Sequence, residues 1–320
     1  MEATSRLPTV KQLRYFVALA EHRHFGRAAA ACHVSQSAFS VAIRELETLL
    51  GANLVDRTNR KVTITATGRE VAARAKRCLR ELTALAEAAR REDRPLEGPL
   101  HLGVIPTIAP FLLPRVLPAL REAFPGLKLF LHEDVTQKLY EKLMEGELDL
   151  VLLALPYDLP GVERMVLFKD RFRLAARKGS ALVDPEHYRP DRLRDGSVLL
   201  LREGHCLREH AVDACRIRDT EKMSAFSASS LLTLIEMVDA DLGVTFLPEM
   251  AEGSALLQNT QVATYPLGDN NYRSIGLVWR RGSPRRDEFE TLGEFLAAEH
   301  KKLTDAAEPE APVRRQAPSR

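Results

Sequence analysis

Apolar residues along this chain fall into two regimes of spacing. Over the first ninety positions they recur every three to four residues. Val10, Leu13, Phe16, Val17 and Ala20 follow Thr9 and Gln12, a pair that fits a capping box, and so predict an amphipathic helix. A second helix, short and alanine-rich, is expected over Gly26 to Val34, and Ser35 can cap a third that begins near Gln36. On that third helix Phe39, Ala42, Ile43, Leu46 and Leu50 form one apolar stripe, while Gln36, Ser37, Ser40 and Arg44 line another face. LVDRTNRKVTIT, Leu54 to Thr65, reads as two short strands around a turn, a wing. A long helix then carries Ala75, Cys78, Leu82, Leu85 and Ala89 three and four apart, the spacing of a coiled-coil seam. About 25 residues at ~1.5 Å each make a rod of ~37 Å that predicts dimerisation, with Cys78 buried in the seam and Cys32 buried in the helical pair.

Past residue 91 the spacing changes. EDRPLEGP is polar with two prolines and ends the helix. LHLGVIPT, LKLFLHED and LDLVLLAL are strand-like, separated by helical stretches over Ala109 to Phe124 and around Lys138 to Glu145, an alternation that predicts a parallel α/β sheet. VLFKDRFRLAA, SVLLLREGH, LLTLIEMVDADLGVTFLP and IGLVWRRG continue it, consistent with two lobes around a cleft faced by strand ends such as Pro106-Thr107 and Gly204-His205. DAAEPEAPVRRQAPSR is Pro-rich and polar and predicts a disordered tail. The expected organisation is a winged helix-turn-helix over 1–65, a linker and dimerisation helix over 66–91, a hinge over 92–99, an α/β effector domain over 100–303 and a tail over 304–320.

Charge sharpens this division. The net charge of +2 hides 16 Lys and Arg against 8 Asp and Glu up to Arg91, a net +8, and a net −6 beyond it. The basic end predicts a polyanionic partner, nucleic acid first. Gln and Arg on the third helix can pair bidentately with base edges, and Arg57, Arg60 and Lys61 of the wing can grip phosphates. A polar helix face also fits a plain solvated surface; the wing beside it favours double-stranded DNA. MEATSRLPTV lacks the basic and apolar regions of a signal peptide, and no apolar run approaches the ~18 residues of a membrane span. A cytoplasmic protein with reduced thiols and no membrane partner is expected.

FGRAAAACHVSQSAFSVAIRELE, then LGANLVDRTNRKVTITATG and a long helix, resembles the N-terminal module of LysR-type transcriptional regulators across residues 9 to 91. The resemblance implies a two-lobed effector domain like a periplasmic binding protein, which normally senses a small metabolite.

GHCLREHAVDAC, Gly204 to Cys215, holds two of the four cysteines. In a helix starting near Cys206, with Leu207, Ala211 and Ala214 as its apolar stripe, cysteines nine apart lie on opposite faces and ~13.5 Å apart along the axis. A disulfide requires Cα atoms within ~7 Å, so a bond between them requires refolding. The helix N-terminus and Arg208 both favour a Cys206 thiolate. Residue chemistry alone leaves several readings open. They are two inert core thiols, a metal site using Cys206 and His210, a thiol peroxidase, or a redox switch. GxSxG, Walker A, GxGxxG and HExxH are all absent, which argues against an orthodox enzyme.

Further stretches, AEHRHFGRAA, CHVSQS, IPTIAPFLLP, EGHCLREHAVDAC and GLVWRRGSP, resemble the hydrogen-peroxide-sensing members of the LysR type over residues 9 to 300. That resemblance implies Cys206 as the peroxidatic thiol and Cys215 as the resolving one. It also implies a peroxide pocket of Thr107, Thr136, His205, Arg208 and Arg273, without metal or cofactor. A homotetramer built as a dimer of dimers, RNA polymerase contact and a glutaredoxin- or thioredoxin-type reductant follow from it too. KMSAF around Met223 to Phe226, and Leu232, depart from the pattern, so the loop after Cys215 is expected to pack differently. A regulator that binds a small metabolite in its cleft is the alternative.

Overall fold

The structure, a computed structural model, describes residues 7–58, 61–88, 96–185, 187–217 and 219–305. Arg60, Ala89, residues 92–95 of the expected hinge and residues 306–320 of the expected tail lie outside them. The chain divides into two units, residues 1–94 with 144–147, and residues 95–143 with 148–320.

In the first unit α1 (Val10–His22) starts on the expected capping box, with the Thr9 hydroxyl accepting from the Gln12 amide at 3.2 Å and the Gln12 side chain accepting from the Thr9 amide at 3.0 Å. The second helix, α2 (Phe25–Ala31), is shorter than the expected Gly26 to Val34. His24 caps it, and His33 at φ +56° turns the chain out of helix before Val34. Ser35 caps α3 (Gln36–Leu50), which stops at Gly51 in the left-handed region that glycine adopts without strain. Phe16, Leu19, Ala28, Phe39, Ile43, Leu46 and Leu54 are fully enclosed, and Tyr15 stacks on Phe39 at 5.0 Å. Glu47 accepts from the Leu54 and Val55 amides at 2.9 and 3.1 Å, tying α3 to the antiparallel wing of β1 (Val55–Thr58) and β2 (Lys61–Ile64). The long helix α4 (Ala66–Ala88) buries Ala72 and Ala75 but leaves Leu82, Leu85 and Cys78 exposed in this single chain. Cys78 lies uncovered on the seam face of this single chain, where a partner helix would cover it; Cys32, expected to be buried, is only half-buried.

The second unit begins with β3 (Gly98–Val104), so Gly98 and Pro99 of the expected hinge belong to a strand. It continues through α5 (Ala109–Ala123), β4 (Leu127–Glu133), α6 (Thr136–Glu145), β5 (Leu150–Leu155) and the 16-residue β6 (Val162–Arg177). After β7 (Val198–Leu201) come α7 (Cys206–Ala214), β8 (Met223–Ala228), α8 (Leu231–Asp239), β9 (Thr245–Pro248), α9 (Ala255–Gln258), β10 (Val262–Pro266), β11 (Tyr272–Arg280) and α10 (Arg286–Asp305). The expected parallel sheet is mixed. β4, β3 and β5 run parallel, but β11 enters antiparallel between β5 and β6. The length of β6 explains the two lobes: residues 162–171 pair with β11, while residues 172–177 pair with β9 and β10 in a second sheet. β7 and β8 pair in parallel, and Val198 bridges Val244 beside β9. Every residue of β5 is buried, as expected of a strand covered on both faces. No described helix is long and apolar enough to cross a membrane.

Gly68 marks where α4 meets the wing: a Cβ there would lie 2.2 Å from the Leu54 carbonyl oxygen and 2.8 Å from Ile64 Cγ2. Both neighbours are fixed, so Gly68→Ala is expected to destabilise the N-terminal unit by about 1–3 kcal/mol, measured as a lowered urea midpoint.

Candidate redox site

Gly204, at φ +94°, turns the chain from β7 into α7, and Cys206 is the first residue of that helix. The helix buries a broader face than its aliphatic stripe: Cys206, Leu207, His210 and Ala211 all point inward. Cys215 closes it as the C-cap, its amide donating to the Ala211 carbonyl at 2.9 Å. Both thiols are free and 4% exposed. As long as α7 stands, nine residues of helical rise hold the sulfurs ~13.5 Å apart along its axis, beyond disulfide reach.

The surroundings of Cys206 come from strand ends. β3 runs out into Thr107, β5 into Ala154 and Pro156, and β4 into Thr136 at the start of α6. Arg273 on β11, 2% exposed, is held on three sides. Its Nε donates to Asp170 Oδ2 at 2.9 Å, Nη1 to the Thr107 hydroxyl at 2.8 Å and Nη2 to the Thr107 carbonyl at 2.8 Å. Asp170 also accepts from the Met250 amide at 3.2 Å. Burial pushes the Asp170 carboxyl upward, while the guanidinium and that amide pull it down. The Thr136 hydroxyl is buried, and among the described residues the Cys206 thiol is the group it acts on.

Burial is the largest influence on Cys206 and pushes its thiol above the ordinary value. The Arg273 charge, the Thr136 hydroxyl and the Ala154 amide pull it back, and Glu209 adds to the rise. Arg208 is not the cation that acts on this sulfur. Its Nη1 donates to the Leu201 carbonyl at 3.3 Å and its Nη2 lies 4.0 Å from the Met223 sulfur, so it clasps β7 to β8. The expectation that Arg208 favours a Cys206 thiolate is thus corrected: its guanidinium is engaged elsewhere, burial pushes the thiol up, and Arg273 is the cation that opposes the rise. His205 caps α7 without a side-chain hydrogen bond, and burial followed by Arg202 lowers its pKa. His210 Nε2 lies 3.0 Å from the Pro156 carbonyl, which can only accept, so Nε2 carries the proton and buried Nδ1 is a bare acceptor. Sequence reasoning missed Asp170 and Met250. A lone carboxylate inside VLFKDRFRLAA was the available signal for Asp170; nothing in the sequence marked Met250.

Cys215 is different. Burial alone raises it, to about 12. In the N-terminal unit Gln36, Ser37 and Arg44 stand exposed on α3 with Ser40 half-buried beside them. Arg57 and Lys61 lie in the wing strands.

Residues 10–69 match the model of the bacterial regulatory helix-turn-helix protein of the lysR family, and residues 93–301 match the LysR substrate binding domain. The chain belongs to the LysR family. Among its relatives in that family, it is 40% identical over 289 residues to the DNA-binding transcriptional dual regulator OxyR of Escherichia coli K12, covering 90% of this chain and 95% of that one. Full-length OxyR from Pseudomonas aeruginosa, solved as a cysteine-to-aspartate variant, superposes with a TM-score of 0.72 at 34% identity, covering 91% of this chain and 95% of that one. A cysteine-to-serine variant of OxyR from Corynebacterium glutamicum, solved with H2O2 bound, gives a TM-score of 0.63 at 34% identity, over 94% and 97% of the two chains. As a LysR-family helix-turn-helix protein, the chain is a DNA-binding regulator.

Asp170→Asn would leave the Arg273 charge buried without its counter-charge, and a loss of about 3–5 kcal/mol in urea unfolding is expected. At pH 8, a thiol titrating at about 12 is only about one part in 10⁴ thiolate, so Cys215 in the reduced folded protein should resist iodoacetamide and become labelled once urea unfolds the chain. Peptide mapping of the alkylated protein measures this.

Proposed function

We propose that this LysR-family chain is a hydrogen-peroxide-responsive transcription regulator. The observation that carries the reading is one short helix with a buried free thiol at each end, the first facing a buried arginine and a buried threonine hydroxyl. Peroxide fits such a pocket because it is small, neutral and able both to donate and to accept. Thr136 and the remaining O–H of Thr107 would orient it, and Arg273 would favour the charge that develops as the O–O bond breaks. His205 stands at the pocket's edge, and Arg208 would act from behind by fixing β7 to β8. In balanced form, Cys206–SH and H2O2 give Cys206–SOH and water. The Cys215 thiol then displaces the hydroxyl, forming the disulfide and a second water. Because α7 holds the sulfurs apart, the second step cannot proceed without unwinding it, and a local oxidation becomes a conformational change.

Output follows from the other unit. Gln36, Ser37, Ser40 and Arg44 of α3 would read base edges, and Arg57, Arg60 and Lys61 of the wing would hold phosphates of an operator. The uncovered seam at Leu82 and Leu85 supports dimerisation through α4. On this reading two such dimers would pair through the sensing units, and the regulator would engage RNA polymerase to activate antioxidant genes. A glutaredoxin- or thioredoxin-type protein would reduce the disulfide. On this reading the boundaries 1–65, 66–91, 92–99, 100–303 and 304–320 separate DNA reading, dimerisation, hinge, sensing and tail, except that Gly98 and Pro99 fall with β3 in the sensing unit.

The test adds one equivalent of peroxide to the reduced full chain and maps disulfides by mass spectrometry beside operator footprinting. A Cys206–Cys215 bond and an altered footprint are expected, with neither in Cys206→Ser; unchanged thiols in the wild type would overturn the reading. Arg44→Ala should weaken operator binding by about 1–3 kcal/mol and still form the disulfide.

A further inference from the structure

The Cys215 end of α7 lies in surroundings that neither the fold nor the peroxide chemistry explains. Tyr188, Cys215, Arg216 and the 267–271 turn line a cleft of about 330 Å³. The Tyr188 ring packs edge-on against buried Phe246, with centroids 6.2 Å apart. Its hydroxyl oxygen is shut off from solvent and has no hydrogen-bond partner among the described residues. Burial first, and the neighbouring Cys215 second, push the phenol's titration upward, which places the hydroxyl within electrostatic reach of that sulfur. Next to Cys215, Arg216 is held at φ +56°, a left-handed conformation costly for a residue with a side chain. A buried hydroxyl without a partner is a standing cost to whichever conformation buries it. The strained Arg216 and the stranded Tyr188 hydroxyl both belong to the conformation in which α7 ends at Cys215.

We infer that Tyr188 is a positioning residue for the resolving cysteine: its unpaired hydroxyl weakens the seat of Cys215 in the dithiol form and so favours release of that thiol towards Cys206. The inference rests on the peroxide reading above. In the dithiol form the hydroxyl is shut off from solvent and from every polar group of the described residues. When Cys206–SOH condenses with Cys215–SH to give the disulfide and water, residue 215 must leave its seat, and the opened cleft admits water to the phenol. The cost is then relieved on the product side only. The Tyr188→Phe substitution keeps the ring packed against Phe246 and removes the stranded group, so it should stabilise the dithiol form.

The experiment equilibrates full-length wild type and Tyr188→Phe with glutathione redox buffers and reads the Cys206–Cys215 disulfide fraction by mass spectrometry. The expected result is an equilibrium constant displaced about tenfold towards the dithiol in Tyr188→Phe, the shift that relief of one unsatisfied hydroxyl produces. Two further readings separate this from a packing effect. Dimedone trapping of Cys206–SOH in a Cys215→Ser background should proceed at the same rate with or without the Tyr188→Phe substitution. The Tm of the reduced protein should rise, not fall, in Tyr188→Phe. An equilibrium that is unmoved or displaced towards the disulfide, a lowered reduced-state Tm, or a changed trapping rate each overturns the inference. A wild type that forms no Cys206–Cys215 bond fails at the peroxide reading itself; a wild type that forms it, with Tyr188→Phe unmoved, overturns the role of Tyr188 alone.

Discussion

The sensing unit is organised around one buried cation. Taking the Arg273 guanidinium out of water is expensive unless its donors are met, and here they are met by the Asp170 carboxylate and by both oxygens of Thr107. Those partners lie 103 and 166 residues away in sequence, so the ion pair joins β11 to β6 and to the end of β3. The same charge is the largest of the influences that oppose the desolvation of Cys206. A group that stabilises a thiolate is therefore locked in place by the strands that build the sheet.

The second constraint is mechanical. α7 is nine residues long, with Cys206 at its first position and Cys215 capping its end. Such a helix owes its stability to the residues it buries, since isolated helices of this length do not persist in water. Replacing those contacts by a covalent bond between its ends is a choice between two discrete states, not a graded deformation. The two thiols also differ in kind. Cys206 is pulled down by three neighbours against its burial, whereas nothing opposes the burial of Cys215, which rises to about 12. That asymmetry fits a first thiol that meets an oxidant and a second that stays inert until it is exposed.

Much of this was legible in the residues. The capping box at Thr9, the wing at Leu54 to Thr65 and the strand at Leu150 to Leu155 are local patterns, and local patterns survive folding because neighbours in sequence remain neighbours in space. Helical periodicity alone was enough to show that Cys206 and Cys215 stand apart. The errors arose where the deciding partner is remote. α2 ended early because His33 turned left-handed, and the sheet proved mixed because β11 returns from the end of the chain.

Arg208 and Arg273 show the division most clearly. Arg208 is two residues from Cys206 and was the natural candidate for its charge partner, yet its head turns to Leu201 and Met223. Arg273, 67 positions further along, supplies the charge. Sequence by itself determined which residue types were available, the helix that separates the thiols and the basic module in front of them, because spacing along one element dictates face and distance. Only tertiary structure decided which cation meets the sulfur, which hydroxyls are stranded and how far each thiol is pushed, because burial and electrostatic reach depend on what the rest of the chain packs around them.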